Sequence, residues 1–134
     1  MAKATLVADD IHLGWRPLDF EHQGQMELLL AVEAELRGTA DKARLAMLLD
    51  QLIEFTNIHF MSEQVLMREL AYPGLRAHEA EHDHLMDQMR DFQKRTESGE
   101  RTLSVADLSA LRDWVIHHIH SKDALFAEFL ADNT

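Results

Sequence analysis

Apolar residues recur at every third or fourth position along most of this chain, which is the spacing of a helix with one buried face. No segment alternates apolar and polar residues as a half-buried strand does. The sequence therefore predicts an all-α protein. The longest run of inward positions consists of Leu45, Leu48, Leu49, Leu52, Thr56, His59, Glu63, Leu66 and Leu70.

Turn and helix-end residues divide the chain into four long helical segments, 18–37, 40–70, 75–97 and 104–130. Short connections between long helices make neighbouring helices antiparallel. We therefore predict an up-down-up-down antiparallel four-helix bundle. The dividing residues are Pro17, Gly38-Thr39, Tyr72-Pro73-Gly74 and Ser98-Gly99.

Two helix starts carry capping residues. Thr39 and Ser104 are predicted N-caps, and Asp107 follows Ser104 at the spacing of a capping box. The length of 134 residues suits one core and one domain. We predict a bundle over residues 18–134, preceded by an extended arm over residues 1–17 that Trp15 anchors.

The composition narrows the possible partners. The net charge of −11 would repel a nucleic acid or an anionic lipid surface, so neither is expected as a partner. The chain has no cysteine, so any metal must be held by nitrogen and oxygen ligands. The N-terminus lacks a signal-peptide core and no membrane span is present, so we expect a cytoplasmic location. The acidic faces of the first and third segments are predicted to be solvated.

The stretch WVIHHIHSKDALF, residues 114–126, contains three of the nine histidines. At about 100° per residue, His118 lies about 50° from the centre of the apolar face, whereas His117 and His120 lie about 150° away. A regular helix would also place Lys122 inside the core and Asp123 at its edge. One extra residue in a π-type bulge between 118 and 123 reverses their positions, so we predict such a bulge.

Four segments together point five histidines and two carboxylates at one interior. Each spacing alone is weak, because an i,i+4 pair is common on ordinary helices. Together these groups would need partners from one another or would suffer a large desolvation penalty, and a bound cation removes that problem. Seven ligands suit two adjacent ions, and the mixture of imidazole and carboxylate leaves iron, manganese, copper and zinc open. The predicted ligands are His22, His59, Glu63, His78, His82, His118 and Asp123; His12, His84, His117 and His120 are predicted to be solvated.

The motifs that carry these residues resemble those of the hemerythrin family, in particular the single-domain bacteriohemerythrins. They are DFEH at 19–22, HFMSE at 59–63, HEAEH at 78–82 and WVIHHIHSKD at 114–123, the last fitting the family's W-x-x-x-H-I-x-x-x-D. The matches follow the family order over nearly the whole chain. The resemblance implies reversible binding of dioxygen at a non-haem di-iron centre.

By this resemblance, each predicted ligand acquires a role. His78, His82 and His118 would hold one iron, and His22 and His59 the other, which keeps an open position. Glu63 and Asp123 would bridge the irons together with an oxo or hydroxo group. The oxygen pocket would be lined by Phe60, Trp114, Val115 and Ile119, with Val115 in place of the leucine usual in the family.

Two other functions remain open at this point. A di-iron oxidase or peroxidase usually carries a Glu-x-x-His motif on each of two helices, whereas here only the third segment has any, at Glu79-x-x-His82 and Glu81-x-x-His84. A sensor of oxygen, nitric oxide or iron would need an unknown protein partner, because the chain offers no output domain. We therefore predict an oxygen carrier or store without catalytic residues, and not an enzyme.

Overall fold

The structure, a computed structural model, describes residues 13–38, 41–99 and 104–133. Within these ranges it contains no strand and forms the predicted antiparallel four-helix bundle, which confirms the fold class. The fourth helix of the bundle is interrupted by a π turn. The elements are α1 Arg16–Arg37, α2 Lys42–Glu69, α3 Leu75–Ser98, α4 Val105–His118, the π turn Ile119–Asp123 and α5 Ala124–Asp132.

Helix α1 begins at Arg16, two residues earlier than predicted. Pro17 lies in its first turn, where a proline costs no hydrogen bond because that N–H has no partner within the helix. The Asp19 carboxylate accepts hydrogen bonds from the backbone N–H groups of Leu13 and Gly14, at 2.6 and 3.0 Å. Trp15 packs against apolar residues at this end of the bundle, as predicted for an anchor. The rest of the predicted arm, residues 1–12, lies outside the described residues.

Helix α2 has a different N-cap from the predicted one. Thr39 lies outside the described residues, and the helix begins at Lys42 with Asp41 as its cap. The Asp41 side chain accepts hydrogen bonds from the N–H groups of Ala43 and Arg44. An aspartate is as good a cap as a threonine, and residue spacing alone could not choose between them.

The capping box predicted at the start of α4 is present. Ser104 Oγ accepts from the Asp107 N–H, and the Asp107 carboxylate accepts from the Ser104 N–H, both at 3.1 Å. We expect Ser104→Ala to lower the free energy of unfolding by about 1 kcal/mol, because the Asp107 N–H at the helix end loses its acceptor. Urea denaturation would measure the loss, with the exposed Ser98→Ala as a control; an unchanged midpoint would contradict the role of the cap.

The core has two parts, one on each side of a polar layer. The upper cluster is the larger and contains buried apolar residues from all four helices of the bundle, including Met26, Leu52, Phe60, Leu85 and Val115. The lower cluster is built around Met67, Phe126 and Leu130. The residues predicted to bind metal lie between them.

The predicted bulge is confirmed by the π turn Ile119–Asp123. The Asp123 side chain is 1% exposed and that of Lys122 is 35% exposed, so the extra residue turns aspartate inward and lysine outward. Among the described residues, no helix is both long and apolar enough to span a membrane.

Candidate metal centre

All seven predicted ligands meet in the polar layer between the two clusters. Each of them is at most 4% exposed. Helix α1 contributes one, α2 and α3 contribute two each, and the last two come from α4 and the π turn. In order along the chain, they are His22, His59, Glu63, His78, His82, His118 and Asp123.

The ligand atoms form two overlapping groups, within each of which all atoms lie within 4.8 Å of one another. Three histidines belong to one group and two to the other, and both groups share the two carboxylates. The first group is Glu63, His78, His82, His118 and Asp123; the second is His22, His59, Glu63 and Asp123.

Glu63 faces both groups with different oxygens. Its Oε1 lies 2.9 Å from His78 Nε2 and 3.0 Å from His82 Nε2. Its Oε2 lies 3.8 Å from His59 Nε2, on the other side. One carboxylate thus offers one oxygen to each histidine group.

Asp123 also faces both histidine groups with different oxygens, from the opposite side of the polar layer. Its Oδ1 lies 2.7 Å from His78 Nε2 and 3.2 Å from His118 Nε2. Its Oδ2 lies 2.8 Å from His22 Nε2. The two carboxylates are therefore arranged to bridge two cations.

The hydrogen bonding of these atoms fits a metal centre. Although the nitrogens and oxygens lie close together, ten buried side-chain atoms among the described residues have no hydrogen-bond partner. Buried polar atoms without partners are rare in proteins. Two ligands that are each about 2.1 Å from a metal, at right angles, would be about 3.0 Å apart, which resembles the spacing here. Bound cations would satisfy nine of these ten atoms; the tenth is the second ring nitrogen of His22, Nδ1.

The local electrostatics keep the carboxylates charged. Burial opposes ionisation of Asp123, but its contacts with His118, His22 and His78 hold the pKa of its carboxyl group well below the ordinary value. Burial also lowers the pKa of His78, yet Asp123 and Glu63 outweigh burial and raise it to about 9. A histidine must lose its proton from the ligating nitrogen, so metal binding here would release protons.

Three polar residues outside the predicted set fix the orientation of the imidazoles. The Nδ1 atoms of His59, His82 and His118 bond to Glu21, Gln64 and Glu81, at 2.5, 2.8 and 2.7 Å. An acceptor at Nδ1 fixes the N–H there and turns Nε2 toward the metal. Sequence reasoning missed these partners.

A simple sequence signal could have found them. Each partner is the immediate neighbour of a predicted ligand: Glu21 precedes His22, Gln64 follows Glu63, and Glu81 precedes His82. A neighbour lies about 100° around the helix, at the rim of the buried face, where it can reach the adjacent helix.

The four residues predicted to line an oxygen pocket lie against the histidines or in the upper cluster. The Phe60 ring stacks on His82 with centroids 3.7 Å apart, and the Trp114 ring stacks on His118 at 5.3 Å. Val115 and Ile119 are buried members of the upper cluster, and Trp114 packs against it. Apolar side chains therefore border the centre on this side.

The other described histidines lie outside the centre, and neither Glu-x-x-His motif places both of its residues there. His84, His117 and His120 are exposed, as predicted, and His12 lies outside the described residues. Glu79 contacts Arg68 and Gln64, at 2.6 and 3.3 Å. Glu81 accepts a hydrogen bond from His118 Nδ1, and His84 is exposed. Neither motif therefore supplies a pair of metal ligands.

Comparison with known proteins agrees with this geometry. A family profile described as "Hemerythrin HHE cation binding domain" matches residues 13–130. A bacteriohemerythrin from Methylococcus capsulatus is 33% identical over 94 residues, covering 70% of this chain and 72% of the relative. One from Ralstonia nicotianae is 28% identical over 124 residues, covering 92% and 87%. A crystal structure of wild-type hemerythrin aligns with a TM-score of 0.79 at 29% identity, covering 83% of this chain and 85% of that one.

Proposed function

The chain belongs to the hemerythrin family, and from this premise we propose that it binds dioxygen reversibly at a non-haem di-iron centre. One observation carries the proposal: Glu63 and Asp123 each turn one oxygen toward a group of three histidines and the other toward a group of two. Shared carboxylates with unequal numbers of histidines suit two adjacent ions of which one keeps a free position.

The proposal assigns the ligands by these two groups. His78, His82 and His118 would hold one iron, His22 and His59 the other, and Glu63 and Asp123 would bridge both with an oxo or hydroxo group. When bound, the iron pair supplies the electrons and the open coordination position that reversible dioxygen binding needs. Imidazole and carboxylate are suitable ligands for iron.

The surrounding hydrogen bonds hold the ligands in position. Glu21, Gln64 and Glu81 each accept a hydrogen bond from the Nδ1–H of a ligand on the neighbouring helix. This contact fixes the tautomer before metal binds and lowers the cost of ordering the rings. Glu21 and Glu81 are about one-third exposed, so they connect the buried imidazoles to the surface.

The apolar wall would keep water away from the open position. Phe60, Val115 and Ile119 are each at most 3% exposed. A dry pocket disfavours the escape of charged, reduced forms of oxygen, since these are stabilised by water. Exclusion of water thus supports reversible binding over consumption of oxygen, and the proposal is of a binding protein rather than an enzyme.

Anaerobic loading of the apoprotein with ferrous iron tests the proposal. We expect about two irons per chain, because the two groups share their carboxylates. We also expect uptake of about one dioxygen for each iron pair, because one of the two ions keeps a free position. Colorimetric iron analysis and an oxygen electrode would measure both. A single iron per chain, or continued oxygen consumption by a small amount of protein, would contradict it.

Val115 provides a test of water exclusion. We expect Val115→Leu to slow irreversible oxidation by several-fold, because a longer apolar side chain at this buried position, three residues before His118, excludes water from the centre more completely. The rate would be followed from the visible spectrum of the oxygenated protein in air.

The control for this variant is Val65→Leu, which adds the same methylene at an exposed position of α2. Thermal unfolding must also be compared, because an added methylene can overpack a core by about 1–3 kcal/mol. Oxidation of a well-folded Val115→Leu variant at the original rate or faster would overturn the role of Val115.

A further inference from the structure

A buried polar pair lies at the interface of α1 and α2, beside the two-histidine group. The Gln25 amide Nε2 donates a hydrogen bond to Thr56 Oγ1 at 3.1 Å, joining α1 to α2. Gln25 is 2% exposed and Thr56 is 0% exposed. Neither residue belongs to the ligand set or to its supporting hydrogen bonds.

Their positions in the helices place this pair next to His22 and His59. Gln25 follows His22 by three residues and Thr56 precedes His59 by three, so antiparallel helices bring all four together in one register. The His22 and His59 rings are 4.9 Å apart across the same interface. Three residues of helix advance about 4.5 Å, so the pair lies one turn from the two imidazoles.

The pair lies on the side of the centre that the carboxylates leave free. Glu63 comes four residues after His59, and Asp123 comes five after His118, toward the lower cluster. Gln25 and Thr56 lie in the opposite direction along the bundle, toward Leu52 and Val115 in the upper cluster. A small ligand held there by an ion on His22 and His59 would meet Gln25 and Thr56 on this side.

Gln25 and Thr56 each have a hydrogen-bond donor that their mutual hydrogen bond does not use. A primary amide has two N–H donors, and only one of them can point at Thr56 Oγ1. The threonine hydroxyl, which accepts that bond, still has its own proton to donate. A buried amide among apolar side chains costs free energy unless its groups find partners.

We propose that Gln25 is a specificity-determining residue of the ligand pocket. Its amide, held by Thr56, donates a hydrogen bond to the outer atom of a small ligand on the two-histidine ion. It thereby favours ligands whose outer atom carries negative charge. This inference rests on the proposed di-iron function.

Azide binding to the iron-loaded ferric protein tests the inference. Gln25→Met keeps the length of the side chain and removes its donors, and we expect the Kd for azide to rise about tenfold, the effect of losing one hydrogen bond to a charged acceptor. Gln23→Met, at an exposed position of α1, is the matched control and should leave the Kd unchanged. Iron content is measured in every sample.

A spectroscopic measurement separates contact with the ligand from a merely structural role. The infrared stretching band of bound azide should shift between H2O and D2O in the wild-type protein, and this shift should disappear in Gln25→Met. The isotope shift is measured on the wild-type protein alone, so it tests the inference even if Gln25→Met fails to fold.

The outcomes distinguish the inference from its premise. If the wild-type protein binds two irons and azide, but shows no isotope shift or the same Kd as Gln25→Met, the role of Gln25 is overturned and the di-iron function stands. If the wild-type protein fails to bind two irons or to bind azide at all, the proposed function and the inference fall together.

Discussion

Replacement of Asp123 by asparagine is expected to reduce bound iron from about two ions per chain to less than one. The asparagine keeps the shape of the side chain, but its NH2 group offers no lone pair and its charge is lost. Asp123 approaches His78, His118 and His22 with its two oxygens, so this single change weakens both histidine groups. Colorimetric iron analysis after anaerobic loading and desalting would measure the result.

The control is Asp113→Asn, an exposed position on α4 that makes the same chemical change. Far-UV circular dichroism must show that both variants remain helical. Full iron content in Asp123→Asn would contradict a bridging role for this carboxylate, whatever the behaviour of the control.

Removal of iron is expected to lower the melting temperature by about 15 °C. A ligand present at about a thousand times its Kd stabilises the folded state by about 4 kcal/mol, and each kcal/mol shifts the melting temperature of a chain this size by a few degrees. The structural reason is that nine buried nitrogen and oxygen atoms of the seven proposed ligands, which have no hydrogen-bond partner, would lose the metal together.

Scanning calorimetry of the iron-loaded and chelated protein measures this difference. Readdition of ferrous iron without oxygen should restore the higher transition, and Asp123→Asn should show a much smaller difference between the two states. If both forms of the wild-type protein melted at the same temperature, the seven side chains could not be held together by metal.

The inward direction of the seven proposed ligands could be predicted because it is a property of each helix taken singly. The period of 3.6 residues fixes which positions face inward, and even the π turn follows from it. A regular helix would have buried Lys122, and the improbability of a buried lysine indicated the extra residue that turns Asp123 inward. The helix start at Lys42 was less predictable, because several residues before it can serve as caps.

Contacts between helices could not be predicted in the same way. The acidic face of the first segment was predicted to be solvated, and this is wrong for Glu33, which is 7% exposed. Glu33 bonds to Arg112 of α4 and to Arg37, each at 2.9 Å. A single helix does not reveal which cation the neighbouring helix brings against it.

The same limit applies to Gln25. The sequence shows a glutamine one turn from His22, but its burial depends on Thr56 of the antiparallel helix. Side-chain partners across an interface are set by helix register and crossing angle, which emerge only when all helices pack.

We expect the two histidine groups and their shared carboxylates to support reversible binding of dioxygen. The most direct test is to load the protein anaerobically with ferrous iron and to record visible spectra through repeated cycles of oxygen and argon. We expect an absorption band that appears under oxygen, fades under argon and returns with nearly full amplitude in each cycle. A band that changes once and does not reverse, accompanied by consumption of oxygen or peroxide, would contradict it.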